Sequence, residues 1–315
     1  MLTSILRRIA ALIPLLFIVS VFVFGLIVLV PGDAATTLAG GEDATPERID
    51  FIRDELGLDR PFLSQYRDWL GDAVTLDFGD SLYSNQPVTT EIWDRFPVTL
   101  QLAGGALVFG LLVGIPFGII SGMRPRSVSD RSVVIVTSLA IAIPSFWLAQ
   151  ILILNLGVYR NILPTRGFVK FSESPSQWFE HLLLPWITLG TLTAATVARQ
   201  MRGALADVMS SDHIRTSRAV GLATRKVVGK HGLKNASAPV LTVVGLQVAY
   251  LIGGTVIVES IFGIAGLGTY ILTAVQRNDF PAIQGSVMFI ALLTVVVNLV
   301  VDISYMFLDP RVRLR

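Results

Sequence analysis

Six separate runs of apolar residues, each long enough to cross a bilayer as a helix, limit what this chain can fold into. They run from about Ile9 to Val30, Val98 to Gly122, Ser132 to Gly157, Leu182 to Met201, Val240 to Val258 and Gln284 to Leu308. A hydrocarbon core about 30 Å thick needs roughly 20 helical residues at about 1.5 Å each. At that depth no water can satisfy a bare N–H or C=O, so each run must close its own backbone hydrogen bonds as a helix. Composition agrees, with 52% hydrophobic and 15% charged residues, where a soluble domain carries about 25% charge. The expected fold class is all-α integral membrane, with six transmembrane helices. Pro14, Pro116, Pro144 and Pro185 fall in or near these runs and predict kinks, not breaks.

Basic residues give the orientation, because Lys and Arg accumulate on the inner side of a membrane. With the N-terminus inside, the inner segments hold 16 of the 25 Lys and Arg residues. These include Arg7 and Arg8, Arg124, Arg126 and Arg131, eight between 199 and 238, and Arg311, Arg313 and Arg315. The outer segment 31–97 is acidic, with 14 Asp and Glu against 5 Lys and Arg. Both termini are therefore expected in the cytoplasm, and the chain reads as a multi-pass protein of the plasma (inner) membrane. Arg7 and Arg8 before an apolar run would suit a signal peptide. That run is about 22 residues, longer than the roughly 7–15 of a cleaved h-region, so residues 1–30 are read as a retained first span.

A net charge of +2 is not that of a nucleic-acid binder. The absence of Cys excludes disulfides and thiolate metal sites. His181, His213 and His231 are far apart in sequence, which argues against a local metal site. No H-E-x-x-H, no G-x-S-x-G and no paired intramembrane acids are present, so neither catalytic nor metal-ligating residues are assigned.

The segment 31–97 reads as a mostly helical extracytoplasmic insertion. Thr45-Pro46-Glu47 is a helix start, with a capping hydroxyl, proline at the first helical position and an acid in the first turn. Gly57 suits the stop. A second helix, about Pro61 to Leu70, places Phe62, Tyr66 and Trp69 on one face. A third begins near Thr89 or Thr90 and runs toward the second span, with Pro97 marking a bend. The insertion could be a packed cap, a docking surface, or both. Residues 98–315 then form a five-helix core.

Within the spans, Gly110, Gly114, Gly118 and Gly122 recur every four residues, a stripe along which another helix can approach closely. Gly190, Ala194 and Ala198 form a looser version. Asp302, with Asn298 one turn before it, and Glu259 are the ionisable candidates at depth. Both acids are expected near interfaces, where charge is cheap. An ion-coupled transporter would place such groups near the midplane, so another source of energy is expected.

The longest inner loop, 202–239, is basic and reads as two short helices around Gly221-Leu222, the first capped by Ser211 or Asp212 and the second closed by Pro239. On its residues alone it could be a rigid element that seats in a groove of another protein, or an amphipathic loop on anionic lipid.

Here the sequence resembles a known family. RTSRAVGLATRKVVGKHGLKNASAP is similar to the coupling loop of binding-protein-dependent ABC importer permeases, in the branch serving dipeptides, oligopeptides and nickel. That loop has the general form Glu-Ala-Ala, three residues, Gly, nine residues, Ile-x-Leu-Pro. By position, Arg215, Thr216 and Ser217 replace Glu-Ala-Ala and Gly221 is the glycine. His231 and Leu233 take the Ile and Leu places, and Lys234 replaces the Pro. Val220 stands where the branch usually has Lys. The resemblance extends along the chain through LGLDRPFLSQYRDWL, LDFGDS, RFPVTLQLA, ILPTRG, VESIFGIAGLG and NLVVDISYMFLDPR.

The resemblance implies the permease subunit of a heteromeric importer that moves di- or oligopeptides, or nickel or another small ligand, by alternating access. Its implied partners are a homologous second permease, two ATPase subunits or domains that carry ATP-Mg, an extracytoplasmic substrate-binding protein and membrane lipid. This chain would need no cofactor of its own, in keeping with its lack of a G-x-x-x-x-G-K-[ST] loop. The residues implied to meet the ATPase are Arg215, Thr216, Ser217, Arg218, Ala219, Gly221, Leu222, His231 and Leu233. Gln247, Gly253 and Gly254 are candidates for the pathway. The rivals are an ion-coupled secondary transporter and a membrane enzyme.

Overall fold

The structure is a computed structural model that describes residues 2–25, 34–40, 44–55, 57 and 59–308. The end of the first apolar run at 26–30 and the basic tail 309–315 lie outside these residues. Every extended element is helical, and the only pairing of strand type among the described residues is the isolated bridge Asp80–Pro87. In order, the helices are α1 (Leu2–Gly25), α2 (Ala34–Ala39), α3 (Pro46–Glu55), α4 (Phe62–Val74), α5 (Val88–Met123), α6 (Val128–Ala142) and α7 (Ser145–Leu152). Then come α8 (Pro175–Met209), α9 (Asp212–Ala219), α10 (Thr224–Lys226), α11 (Lys234–Phe262), α12 (Leu267–Gln276) and α13 (Phe280–Leu308). Two π-helical turns, Ile153–Tyr159 and Val227–Leu233, continue α7 and join α10 to α11.

Among the described residues, four helices are long and apolar enough to cross a bilayer: Val88–Met123, Pro175–Met209, Thr224–Phe262 and Phe280–Val301. The pair α6 and α7 with its π-helical extension reaches that length and apolarity only when taken together, and it is bent by 100° at the junction. This corrects the expectation for Pro144. Pro14, Pro116 and Pro185 stay inside uninterrupted helices, whereas Pro144 breaks one. Ile143 is extended at φ −78°, ψ 121°, and Pro144 follows at φ −62°, ψ 138°. The residue before a proline is pushed out of the α region by the ring, and α7 then packs against α8 and α11 in its new direction. α5 runs through Pro97. Pro239 departs from expectation the other way. α11 runs through it, so the loop's second helix is continuous with the fifth span. Ala236 and Val240 on either side of Pro239 are buried against Val197, Met201 and Leu205, and that burial outweighs the single hydrogen bond lost at proline.

The chain forms two compact units, residues 1–97 with 266–296 and residues 98–265 with 297–315. In the first, α4 lies on α1 through aromatic rings. Phe24 meets Phe62, Tyr66 and Trp69 at 5.3, 5.6 and 5.4 Å between centroids, and the Tyr66 hydroxyl is 2.8 Å from Ser20 Oγ. The aromatic spacing read from the sequence is the packing face. The start at Thr45 also forms as expected, with Thr45 Oγ1 accepting from the Arg48 N–H at 3.3 Å. Asp279 is buried just before α13, accepting from Ser81 Oγ at 2.5 Å and from the Leu82 and Ala282 N–H groups at 3.2 and 3.3 Å.

In the second unit α5, α6, α7 and α11 surround α8, the most enclosed helix. The glycine stripe of α5 faces α8 backbone. A Cβ on Gly114 would sit 2.6 Å from the Ala194 carbonyl oxygen, on Gly118 2.7 Å from that of Ala198, and on Gly122 2.9 Å from that of Arg202. Gly190 answers from α8, where a Cβ would meet the Ala106 carbonyl oxygen at 2.6 Å. Glu259 corrects a second expectation. Its charge is not solvated but fully buried in protein, accepting from Thr99 Oγ1 at 2.7 Å, because α11 turns its last two helical turns into the core around Leu102, Leu251, Phe262 and Ile264. The side chain of Asp302 lies outside the described set, and Asn298 is exposed.

Candidate functional site

α8 continues past its apolar part and ends at Met209, and a two-residue link turns the chain into α9. Ser211 takes the N-cap position, but its hydroxyl donates to the Val208 carbonyl at 2.5 Å and meets His213 Nδ1 at 2.9 Å. The anchor of α9 is Ile214, which is fully buried. Around it Arg215, Thr216, Arg218, Ala219 and Val220 form one exposed surface, with Val220 75% accessible. Thr216 and Ser217 turn their hydroxyls back to the Asp212 and His213 carbonyls at 3.0 and 2.8 Å. Their outward contribution is therefore small size rather than hydrogen bonding. Arg215 lies 3.4 Å from Asp212, and both side chains are largely in solvent. Such a pair contributes about 0–1 kcal/mol and exchanges readily for a better carboxylate.

The helix ends in a Schellman turn. The Gly221 N–H bonds the Arg218 carbonyl at 2.9 Å and the Leu222 N–H bonds that of Ser217 at 3.2 Å. This closure needs a left-handed residue, and Gly221 supplies it at φ +82°. The second half of the loop faces inward. Val227, Val228 and Gly232 are buried, His231 and Leu222 are half-buried, and Leu233 packs on the cluster of Val197, Met201, Leu205, Ala236 and Val240. The expected residues thus fall into two sets. Arg215 to Gly221 form a display surface, with Ser217 half-covered. His231 and Leu233 belong to the support that holds it against α8.

The pathway candidates separate as well. Gln247 points at α8, accepting from Thr193 Oγ1 at 3.1 Å. Gly254 is half-buried, with Leu189 and Tyr250 3.7 Å from where a Cβ would sit. Gly253 is exposed and opens onto empty space. It belongs to a stripe of α11 that is exposed among the described residues, with Thr242, Leu246, Tyr250, Ile257 and Ser260. The exposed stripe of α5 is apolar, with Leu100, Val108, Leu112, Phe117 and Ile120, whereas the α11 stripe carries hydroxyls and a glycine, the residues that favour close approach of another helix.

Sequence reading missed one feature beside the loop. Asp130, 3% exposed, accepts from Arg202 Nε at 2.5 Å and Nη2 at 3.0 Å, from the Arg126 N–H at 2.7 Å, and from Ser121 Oγ. The signal for Asp130 was present. Ser127-Val128-Ser129-Asp130 has the spacing of a helix-capping box before an apolar run, and Ser127 Oγ accepts the Asp130 N–H at 3.2 Å. Nothing local marks Arg202 as its partner.

Among known proteins, residues 1–103 match the N-terminal family of binding-protein-dependent transport system membrane components. Residues 114–314 match the family described as binding-protein-dependent transport system inner membrane component. The chain is 39% identical over 309 residues, 98% of both chains, to a putative peptide transport system permease protein of Brucella abortus (strain 2308). It is 39% identical over 313 residues, 99% of both chains, to the glutathione transport system permease protein GsiC of Escherichia coli (strain K12). In fold it is similar to the inward-facing methionine ABC transporter MetNI, with a TM-score of 0.55 and 17% identity over 69% of this chain and 96% of that one.

Proposed function

The chain belongs to the inner-membrane components of binding-protein-dependent transport systems, and from that premise we propose that it is the permease subunit of an ATP-binding-cassette importer carrying peptides inward. The observation that carries the reading is α9, anchored by buried Ile214 and locked at its end by Gly221, with its basic and small-residue face open. A lipid-bound amphipathic helix needs a continuous apolar face in the headgroups. Here Ile214, the one large apolar residue within α9, is spent on the chain's own core, and the exposed Val220 at its end is a single apolar side chain beside Arg215, Arg218 and small residues.

In this reading six spans cross the membrane with both termini cytoplasmic, and 31–97 is extracytoplasmic, where a substrate-binding protein docks. Residues 202–239 form the cytoplasmic coupling loop. A homologous second permease covers the open stripe of α11 through Gly253, Tyr250 and their neighbours, and the two chains enclose the pathway between them. Two ATPase subunits supply the ATP-Mg chemistry. Closing on ATP, they push α9 through Arg215, Arg218 and the small residues Thr216, Ser217 and Ala219. α8, continuous with the link to α9, carries the push into the helices packed on it. The permease names of the Brucella and E. coli relatives support a peptide or a glutathione-like peptide as cargo.

The test is uptake by proteoliposomes that hold the assembled complex, with binding protein and a labelled dipeptide or glutathione on one face and ATP on the other. Accumulation should require ATP and persist when ion gradients are collapsed. Accumulation that follows an ion gradient without ATP would point to the secondary-transporter rival.

A further inference from the structure

Asp130 is nearly fully buried, charged, and used by nothing in the mechanism so far. Its two oxygens take four donors from separate parts of the chain. Oδ1 accepts from Ser121 Oγ at the end of α5 and from Arg202 Nε on α8, while Oδ2 accepts from the Arg126 N–H in the α5–α6 turn and from Arg202 Nη2. The turn is itself folded onto this carboxylate, with Arg126 left-handed at φ +67°.

The packing around it gives this clasp a distinct part to play. Gly118 and Gly122 of α5 touch α8 backbone. These steric contacts set how closely the two helices approach. Farther along the same three helices a cavity of about 270 Å³ opens between α5, α6 and α8, lined by Phe109, Phe117, Val133, Thr137, Ala194 and Ala198. The cavity interrupts the apolar packing of α6 on α8, which elsewhere lie against each other. A bidentate guanidinium–carboxylate pair is directional and fixes both distance and register. Arg202 also lies on the stretch of α8 that leads straight to the link before α9.

We infer that Asp130, through Arg202, fastens the ends of α5 and α6 to α8, so that a push received at α9 moves all three helices as one body. Asp130 is thereby a positioning residue for transport. This rests on the reading of α9 as the element that meets the ATPase.

The chain has no native Cys, so spin labels can be placed cleanly at Ile135→Cys on the exposed side of α6 and at His213→Cys, an exposed position of α9 outside the proposed ATPase contact. In the full importer, with and without trapped ATP, the separation of the two labels should hold constant in the parent protein. In Asp130→Asn the distribution should broaden and shift with ATP. Uptake of labelled dipeptide should fall about tenfold, within the range by which linking residues change coupling, while ATP hydrolysis falls less than about twofold. If Asp130→Asn fails to assemble, Arg202→Lys decides the matter, because it keeps the charge but loses the two-pronged geometry. It should give the same broadening and uncoupling to a smaller degree. A label separation unchanged from the parent, or a broadened one with normal uptake, overturns the inference. A cross-link to the ATPase from the thiol of a separate, unlabelled Arg218→Cys variant is the control. If it does not form, the reading of α9 has failed rather than the clasp.

Discussion

Replacing Gly221 with valine should leave the importer assembled and hydrolysing ATP, yet cut peptide uptake at least about tenfold. The reason lies in the backbone. Gly221 sits at φ +82°, and a Cβ added there would meet no atom within 4 Å, so crowding plays no part. An L-residue in the left-handed region costs about 1–2 kcal/mol, and a β-branched one is a genuine outlier. Valine would relax by leaving that region, which breaks the Gly221–Arg218 and Leu222–Ser217 hydrogen bonds and redirects the exposed face of α9. Asparagine tolerates the left-handed conformation, so Gly221→Asn should restore most of the uptake. Gly229 is equally open but has no positive φ, and Gly229→Ala should be near normal. Parallel assays of uptake and hydrolysis on one preparation separate these outcomes. Normal uptake in Gly221→Val would remove α9 from the coupling role.

The largest effect on stability is expected at Gly114. Gly114→Val should lower the melting temperature of the detergent-solubilised protein by roughly 10 °C, on about 2–4 °C per kcal/mol, and sharply reduce its yield. The first added carbon would lie 2.6 Å from the Ala194 carbonyl oxygen and 3.1 Å from Ala194 Cα. Neither atom can swing aside, because both belong to a helix backbone. The helices must separate, and the loss spreads to Val197, Ala198, Met201 and Leu205, all nearly inaccessible. Overpacking alone costs about 1–3 kcal/mol, and the lost contacts add to it. Gly104 supplies the control on the same helix, since a Cβ there meets nothing within 4 Å. Gly104→Val should melt within a few degrees of the parent, and equal melting of the two variants would refute the interlocked stripe.

The sequence was most informative where structure follows from local rules. The stripe of glycines every four residues is the face that meets α8, because a helix repeats its surface at that spacing whatever lies opposite. Thr45 and Pro46 start a helix because the capping geometry spans only a few residues. Phe62, Tyr66 and Trp69 share a face for the same reason. The left-handed position at Gly221 was legible because one turn determines it.

Prolines show where that reading stops. Pro144, Pro185 and Pro239 give the same signal in the sequence, a missing N–H and a fixed φ. Yet one breaks its helix, one lies buried in mid-helix, and one sits where a loop and a span join as a single helix. Each outcome depends on what neighbouring helices offer as compensation, and that is a property of the assembled bundle.

By itself, then, the sequence determined that the chain is helical, that it belongs in a membrane, which helix faces pack, and where the turn at Gly221 falls, because lipid enforces helices and helical periodicity is local. Only the tertiary structure decided that Asp130 grips Arg202, that Glu259 is sealed against Thr99, and that Leu233 supports the loop from within. Those pairings join residues far apart in the chain, and a carboxylate in a sequence carries no mark of which distant donor will desolvate with it.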